Sequence, residues 1–175
     1  MAEITRALNE LVDRPACIGG PSFETFPLTL GTSLRDPRPR TDEQAKFDAL
    51  AEVGLLSKAG EHSYELTDAG SAVHTDEGQF CFAQGFEIGQ ITSTEPIPAG
   101  RLAPGVEGGW IVSFTIVPTN LEEWIFESAI AEAAPTFGAI EQHRNPISKT
   151  VPVAMRDGQI QLETFAFSFR PGVSW

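Results

Sequence analysis

Cysteine, histidine and cationic side chains are all scarce in this chain, and each scarcity removes a class of chemistry. Only two cysteines occur in 175 residues, Cys17 and Cys81, so there is no CxxC, no zinc-ribbon spacing and no Cys/His cluster. The three histidines, His62, His74 and His143, form no HxH, HExxH or HxxxH pattern that would set two imidazoles on one helix face. They read as surface or core-edge side chains, and no metal ligand is assigned. A nucleophile elbow, a Walker loop and a G-x-G-x-x-G fingerprint are missing too. Gly105-Val106-Glu107-Gly108-Gly109 lacks the strand-to-helix context of a phosphate cradle and reads as a loop entering a strand. No apolar run approaches the roughly 20 residues of a membrane-spanning helix. The opening Met1-Ala2-Glu3-Ile4 has neither basic nor apolar signal regions, so no secretory signal is expected in the stretch itself.

Basic residues number 12 against 24 acidic ones, a formal net charge of -12. The excess is local: residues 41–80 carry 2 basic and 9 acidic side chains, and 81–145 carry 2 and 8. Residues 1–40 are balanced at 5 and 5, and 146–175 hold 3 basic and 2 acidic. Such a surface repels phosphate backbones and anionic lipid, which argues against a nucleic-acid partner, and it speeds encounter with a basic protein. With 41% hydrophobic and 21% charged residues, the chain has the composition of a folded globular protein.

The patterning predicts α+β structure. Ile4, Ala7, Leu8, Leu11 and Val12 fall at helical spacing over residues 2–13, and Arg14-Pro15 ends that helix. Residues 21–30, with Phe23, Phe26, Leu28 and Leu30, read as an extended segment, and 31–40 as a surface loop. Thr41-Asp42-Glu43-Gln44 has capping-box form and opens a helix running to about Val53, with Gly54 at the C′ position. A hairpin over residues 56–58 and 63–66 follows, and then Thr67 caps a short helix. Strands are expected at 79–83, 86–92 and 110–117, with an exposed loop at 93–109 and a helix at 120–133 capped by Thr119. Asp157-Gly158 marks a two-residue hairpin turn between strands at 151–156 and 159–169. In that last strand Ile160 and Leu162 occupy even positions whereas Phe165, Phe167 and Phe169 occupy odd ones. A bulge near Glu163-Thr164 would reconcile the two parities and curve the sheet.

The helix ending at Gly54-Leu55-Leu56, the hairpin and Tyr64-Glu65-Leu66-Thr67-Asp68-Ala69-Gly70 together resemble the recognition helix and wing of winged-helix domains. DNA-binding members place basic residues there. This chain has Asp42, Glu43, Asp48, Glu52, Glu61, Glu65 and Asp68 against Lys46 and Lys58, so the unit reads as scaffold.

Cys17 and Cys81 sit in apolar settings, Ala16-Cys17-Ile18 and Phe80-Cys81-Phe82, which fit either two buried thiols or one bridge. A wider resemblance covers nearly the whole chain. An N-terminal helix leading to Ala16-Cys17-Ile18-Gly19 and Phe26-Pro27, the winged-helix-like middle, then Phe80-Cys81-Phe82-Ala83 and paired strands look like an uncharacterised family of exported proteobacterial proteins. That resemblance implies a periplasmic domain with a Cys17–Cys81 disulfide. It transfers no activity, cofactor or catalytic residue.

Glu122, Glu123 and Glu127 include an i,i+4 pair that suits a metal or acid/base set, but first-turn glutamates are also favoured by the helix dipole. The expected architecture is a winged-helix-like, helical subdomain at 1–78 packed on a curved antiparallel sheet subdomain with one helix at 79–175, the two sharing a core or forming one domain. The expected function is a non-enzymatic periplasmic binding protein with a protein or peptide partner, for which the acidic surface favours a basic one. Rival readings are an acidic inhibitor or immunity protein for a basic toxin, a cytoplasmic winged-helix regulator, and a hydrolase with dispersed carboxylates.

Overall fold

The computed structural model describes residues 2–20, 23–31, 41–133, 140–163 and 167–174. The protein is α+β, its strand pairings antiparallel except for a short parallel one between Ile18–Gly19 and Val173–Ser174, and its chain divides into two compact units, each assembled from separate stretches. One unit comprises Met1–Arg14, Gln84–Thr119 and Gln142–Pro171; the other comprises Pro15–Ala83, Asn120–Glu141 and Gly172–Trp175.

The first unit is built on helix α1 (Ala2–Val12) and a four-stranded sheet of order β6-β7-β8-β9. These strands are β6 (Gly85–Pro96), β7 (Gly108–Thr119), β8 (Ile147–Arg156) and β9 (Gln159–Leu162). The helical spacing of Ile4, Leu8 and Val12 places all three side chains in the core, each contributing about 1.5–3 kcal/mol by burial. Helix α1 packs on β6 and β9, and the Asn9 side-chain oxygen accepts the Ile88 N–H at 2.8 Å. On β7 and β8 the alternating set Val112, Phe114, Ile116, Val151 and Val153 is buried. Two register shifts in β6, between Ile88 and Gln90 and between Ile91 and Ser93, insert extra residues and increase the local twist.

The second unit holds two three-stranded sheets, β10-β1-β5 and β2-β4-β3. The first joins β1 (Ala16–Gly19), β5 (Gln79–Ala83) and β10 (Val173–Ser174). The second joins β2 (Leu28–Thr29), β3 (Leu56–Lys58) and β4 (Ser63–Leu66), accompanied by helix α2 (Thr41–Glu52). Helix α2 ends in a Schellman arrangement, with Leu55 N–H donating to the Leu50 carbonyl at 2.9 Å and Gly54 N–H to Ala51 at 3.1 Å. Thr67 caps α3 (Asp68–Val73) by accepting the Gly70 N–H at 3.0 Å. An aromatic cluster fills the core: Phe23 stacks on Phe47 at 4.5 Å, Phe47 lies 5.2 Å from Tyr64, and Phe80 meets Phe23 edge-on.

Several local expectations are corrected. Residues 23–30 are strand only at Leu28–Thr29, because Phe23 enters a helical turn and its ring joins the aromatic core. The anticipated loop at 93–109 is shorter, since β6 continues to Pro96 against a β7 that begins at Gly108. The helix expected over 120–133 is broken. Thr119 ends a strand, Asn120 takes a φ of 49°, and a single 3-10 turn (Glu123–Phe126) precedes helix α4 (Ser128–Ala133). The last hairpin begins earlier, at Ile147, and β9 stops at Leu162 rather than at Phe169. The parity conflict is therefore met by ending the strand, and the bulge anticipated near Glu163-Thr164 falls partly on Thr164, outside the described residues. The 31–40 loop beyond Gly31 and the side chain of the capping-box Thr41 also lie outside them.

Candidate functional site

Charge is distributed very unequally between the two units. The unit containing α2 and α4 carries 5 basic and 16 acidic side chains, whereas the other carries 7 and 8. Nearly all of the chain's net charge thus belongs to one unit, and part of it lines a groove between two helices. Helix α2 packs against α4, and small residues at i,i+4 spacing on each, Ala45 and Ala49 facing Ala129 and Ala133, line the space between them. Asp48, Glu52 and Glu132 complete a cleft of about 380 Å³. A second cleft of about 410 Å³, lined by Glu52, Val53, Trp124, Glu127, Ser128 and Ala129, shares Glu52 and Ala129 with the first.

The four carboxylates differ in engagement. Asp48 accepts hydrogen bonds from the Tyr64 hydroxyl and from Lys58 Nζ at 2.8 Å. Burial acts to raise its carboxyl, but these hydrogen bonds and the Lys58 charge prevail and hold it below the usual aspartate value. Burial first, and then Asp48, push the Tyr64 phenol upward, so it remains a neutral donor. Glu52, Glu127 and Glu132 are exposed and form no ion pair among the described residues, which leaves three charges open to a partner. The Trp124 indole N–H at the groove is buried and lacks a hydrogen-bond acceptor among the described residues.

The disulfide is formed: Cys17 and Cys81 are register partners on β1 and β5, with Cα atoms 3.8 Å apart. The helical Glu123/Glu127 pair is not formed, because Glu127 terminates the 3-10 turn with extended backbone (ψ 148°). Glu122, Glu123 and Glu127 are all exposed, and of the three only Glu127 lines a cleft, together with Glu52. Among the described residues no group of three or more His, Cys, Asp or Glu is placed to hold a metal ion. His74 Nε2 meets the Phe23 carbonyl at 2.7 Å, and the His62 carbonyl accepts the Leu30 N–H. His143, in the other unit, is 3% exposed and donates from Nε2 to the Pro171 carbonyl at 3.1 Å. Its imidazole is held below the ordinary histidine value by burial, against the opposing pull of that carbonyl.

Nothing in the local sequence brings Asp48, Glu52 and Glu132 together with Glu127. The only local signal is the Ala45/Ala49 and Ala129/Ala133 spacing, which marks helix faces able to approach closely without naming their partners. No helix of the described chain is long and apolar enough to cross a membrane. Comparison with protein-family models, curated proteins and solved structures finds no match.

Proposed function

We propose that this chain is a non-enzymatic binding protein of the periplasm whose acidic helical face receives a basic protein or peptide. The observation that carries the reading is the concentration of charge: 16 acidic against 5 basic side chains in one unit, with Glu52, Glu127 and Glu132 exposed along one groove. A field of one sign over such a surface accelerates encounter with a basic partner and disfavours nucleic acid. The Cys17–Cys81 bridge supports an oxidising compartment, where disulfides persist. In this reading α2 and the β3–β4 hairpin act as a winged-helix-like scaffold with acidic side chains where DNA-binding winged-helix domains carry cations.

The test is a binding titration of the oxidised full chain against a Lys/Arg-rich peptide and its Glu-substituted counterpart. Only the basic peptide should bind, with affinity falling steeply as salt rises. The combined variant Glu52→Lys, Glu127→Lys and Glu132→Lys should lose most of that affinity while keeping its fold by circular dichroism. Equal binding of both peptides, or undiminished binding by the folded variant, overturns the assignment to this face.

A further inference from the structure

The connection between β6 and β7 is tied down as a roof. Ile97 N–H donates to the Gly109 carbonyl at 2.8 Å, and Glu107 N–H to the Met155 carbonyl at 2.9 Å, which secures both ends. Between them a 3-10 turn (Ala99–Arg101) and a second turn, closed by Val106 N–H on the Ala103 carbonyl at 3.1 Å, shape the segment. The Glu107 carboxylate also accepts the Gly158 N–H at 3.2 Å, joining this connection to the β8–β9 turn. The segment is thus held in place without a ligand.

It borders an open cleft of about 250 Å³. Ile97, Leu102 and Val106 line it from the connection, and Pro152, Val153 and Ala154 from β8. Its charged side chains are Arg101, Arg156 and Glu163. Arg156 is paired with Glu163 at 3.3 Å, whereas the exposed Arg101 guanidinium makes no hydrogen bond or ion pair among the described residues. The cleft therefore combines aliphatic walls with one uncompensated cation, in a chain whose net charge is -12.

We propose that this cleft binds a small amphiphilic monocarboxylate, with the alkyl chain on the aliphatic walls and the carboxylate on Arg101. One uncompensated positive charge matches a monoanion, and a guanidinium presents its N–H groups in the fork that a carboxylate accepts. The volume lies below the roughly 300–1,000 Å³ of drug-sized pockets, which restricts the ligand to a short chain. This site belongs to the other unit and does not depend on the acidic-face reading.

Octanoate, octylamine and octanol titrated into the oxidised full chain provide the test, read by calorimetry and by methyl chemical shifts. Octanoate should bind saturably and shift the Leu102, Val106 and Val153 methyls, and the amine and alcohol should bind at least about tenfold more weakly. Arg101→Gln should weaken octanoate by about tenfold, and Arg101→Lys should restore part of the loss. Arg101 is exposed, so both variants should keep the parent melting temperature. The inference fails if octanoate does not saturate, if octylamine or octanol binds as well, if Arg101→Gln binds unchanged, or if a peptide ending in a free leucine carboxylate binds more tightly than octanoate.

Discussion

Thr67 and Gly70 are constrained by the Gly54 and Leu55 carbonyls, more than ten residues away in sequence. The Thr67 hydroxyl donates to the Gly54 carbonyl at 2.7 Å, and Thr67 N–H donates to the Leu55 carbonyl at 3.1 Å. Gly70 lies so close to that same strand entry that a Cβ there would sit 1.9 Å from the Leu55 carbonyl oxygen. Gly70→Ala should therefore destabilise at the upper end of about 1–3 kcal/mol, against about 1 kcal/mol for Thr67→Ala, as read from urea midpoints. Equal effects of the two would show that the backbone moves aside easily. The cap itself is legible in Thr67-Asp68-Ala69-Gly70, but the reason for glycine lies in a residue brought near by folding. His143 makes a second residue-scale prediction. Its folded value lies below the ordinary 6.5, so below that pH the unfolded chain binds more protons than the folded one. Stability should be full above about pH 6.5 and decline as pH falls toward the folded value. Denaturation curves across this window should be flatter for His143→Asn, and an unchanged slope would assign the pH dependence elsewhere.

Elements were legible wherever their determinants are local. Helix α1 follows from the spacing of Ile4, Leu8 and Val12, and the β8–β9 turn from Asp157-Gly158, whose φ values are 51° and 69°. A side chain at Gly158 would be forced into the left-handed region, so Gly158→Ala should cost about 1–2 kcal/mol, measured as a lowered urea midpoint. A stabilised variant would mean that the turn changes type. Elements were misjudged where a distant backbone group competes. The apolar residues of 120–133 promise one helix, yet Glu122 N–H is taken by the Phe82 carbonyl at 2.8 Å, which fixes extended backbone at the intended first turn. Residues Ser93 to Pro96 carry little strand propensity, but β7 offers them a paired ladder from Ser113 to Trp110. At this edge position Pro96 forfeits no ladder bond on the solvent side.

For the molecule as a whole, two quantities matter: how far apart in sequence its parts are joined, and where its charge lies. The Cys17–Cys81 bridge closes a separation of 64 residues, so removing it through Cys17→Ala with Cys81→Ala should cost on the order of 4 kcal/mol by relaxing the unfolded chain. Urea unfolding of oxidised parent and variant checks this, and a difference under about 1 kcal/mol would mean that native packing or residual unfolded structure compensates. Duplex DNA should show no measurable affinity even at low ionic strength, since residues 41–80 carry 2 basic and 9 acidic side chains and have no counterions to gain by release. A complex lost on replacing Lys46 and Lys58 would contradict that. Composition and short-range pattern alone determined the α+β class, α1, the two hairpin turns, the Thr67 cap and the acidic balance, because periodicity, turn chemistry and charge are properties of neighbouring residues. Tertiary structure decided which strands pair, where 120–133 breaks, that Cys17 faces Cys81, and that 16 of the 24 acidic side chains gather in one unit. Each of these depends on hydrogen bonds, a covalent bond or surface contacts between segments far apart in the chain, whose closure no local pattern specifies.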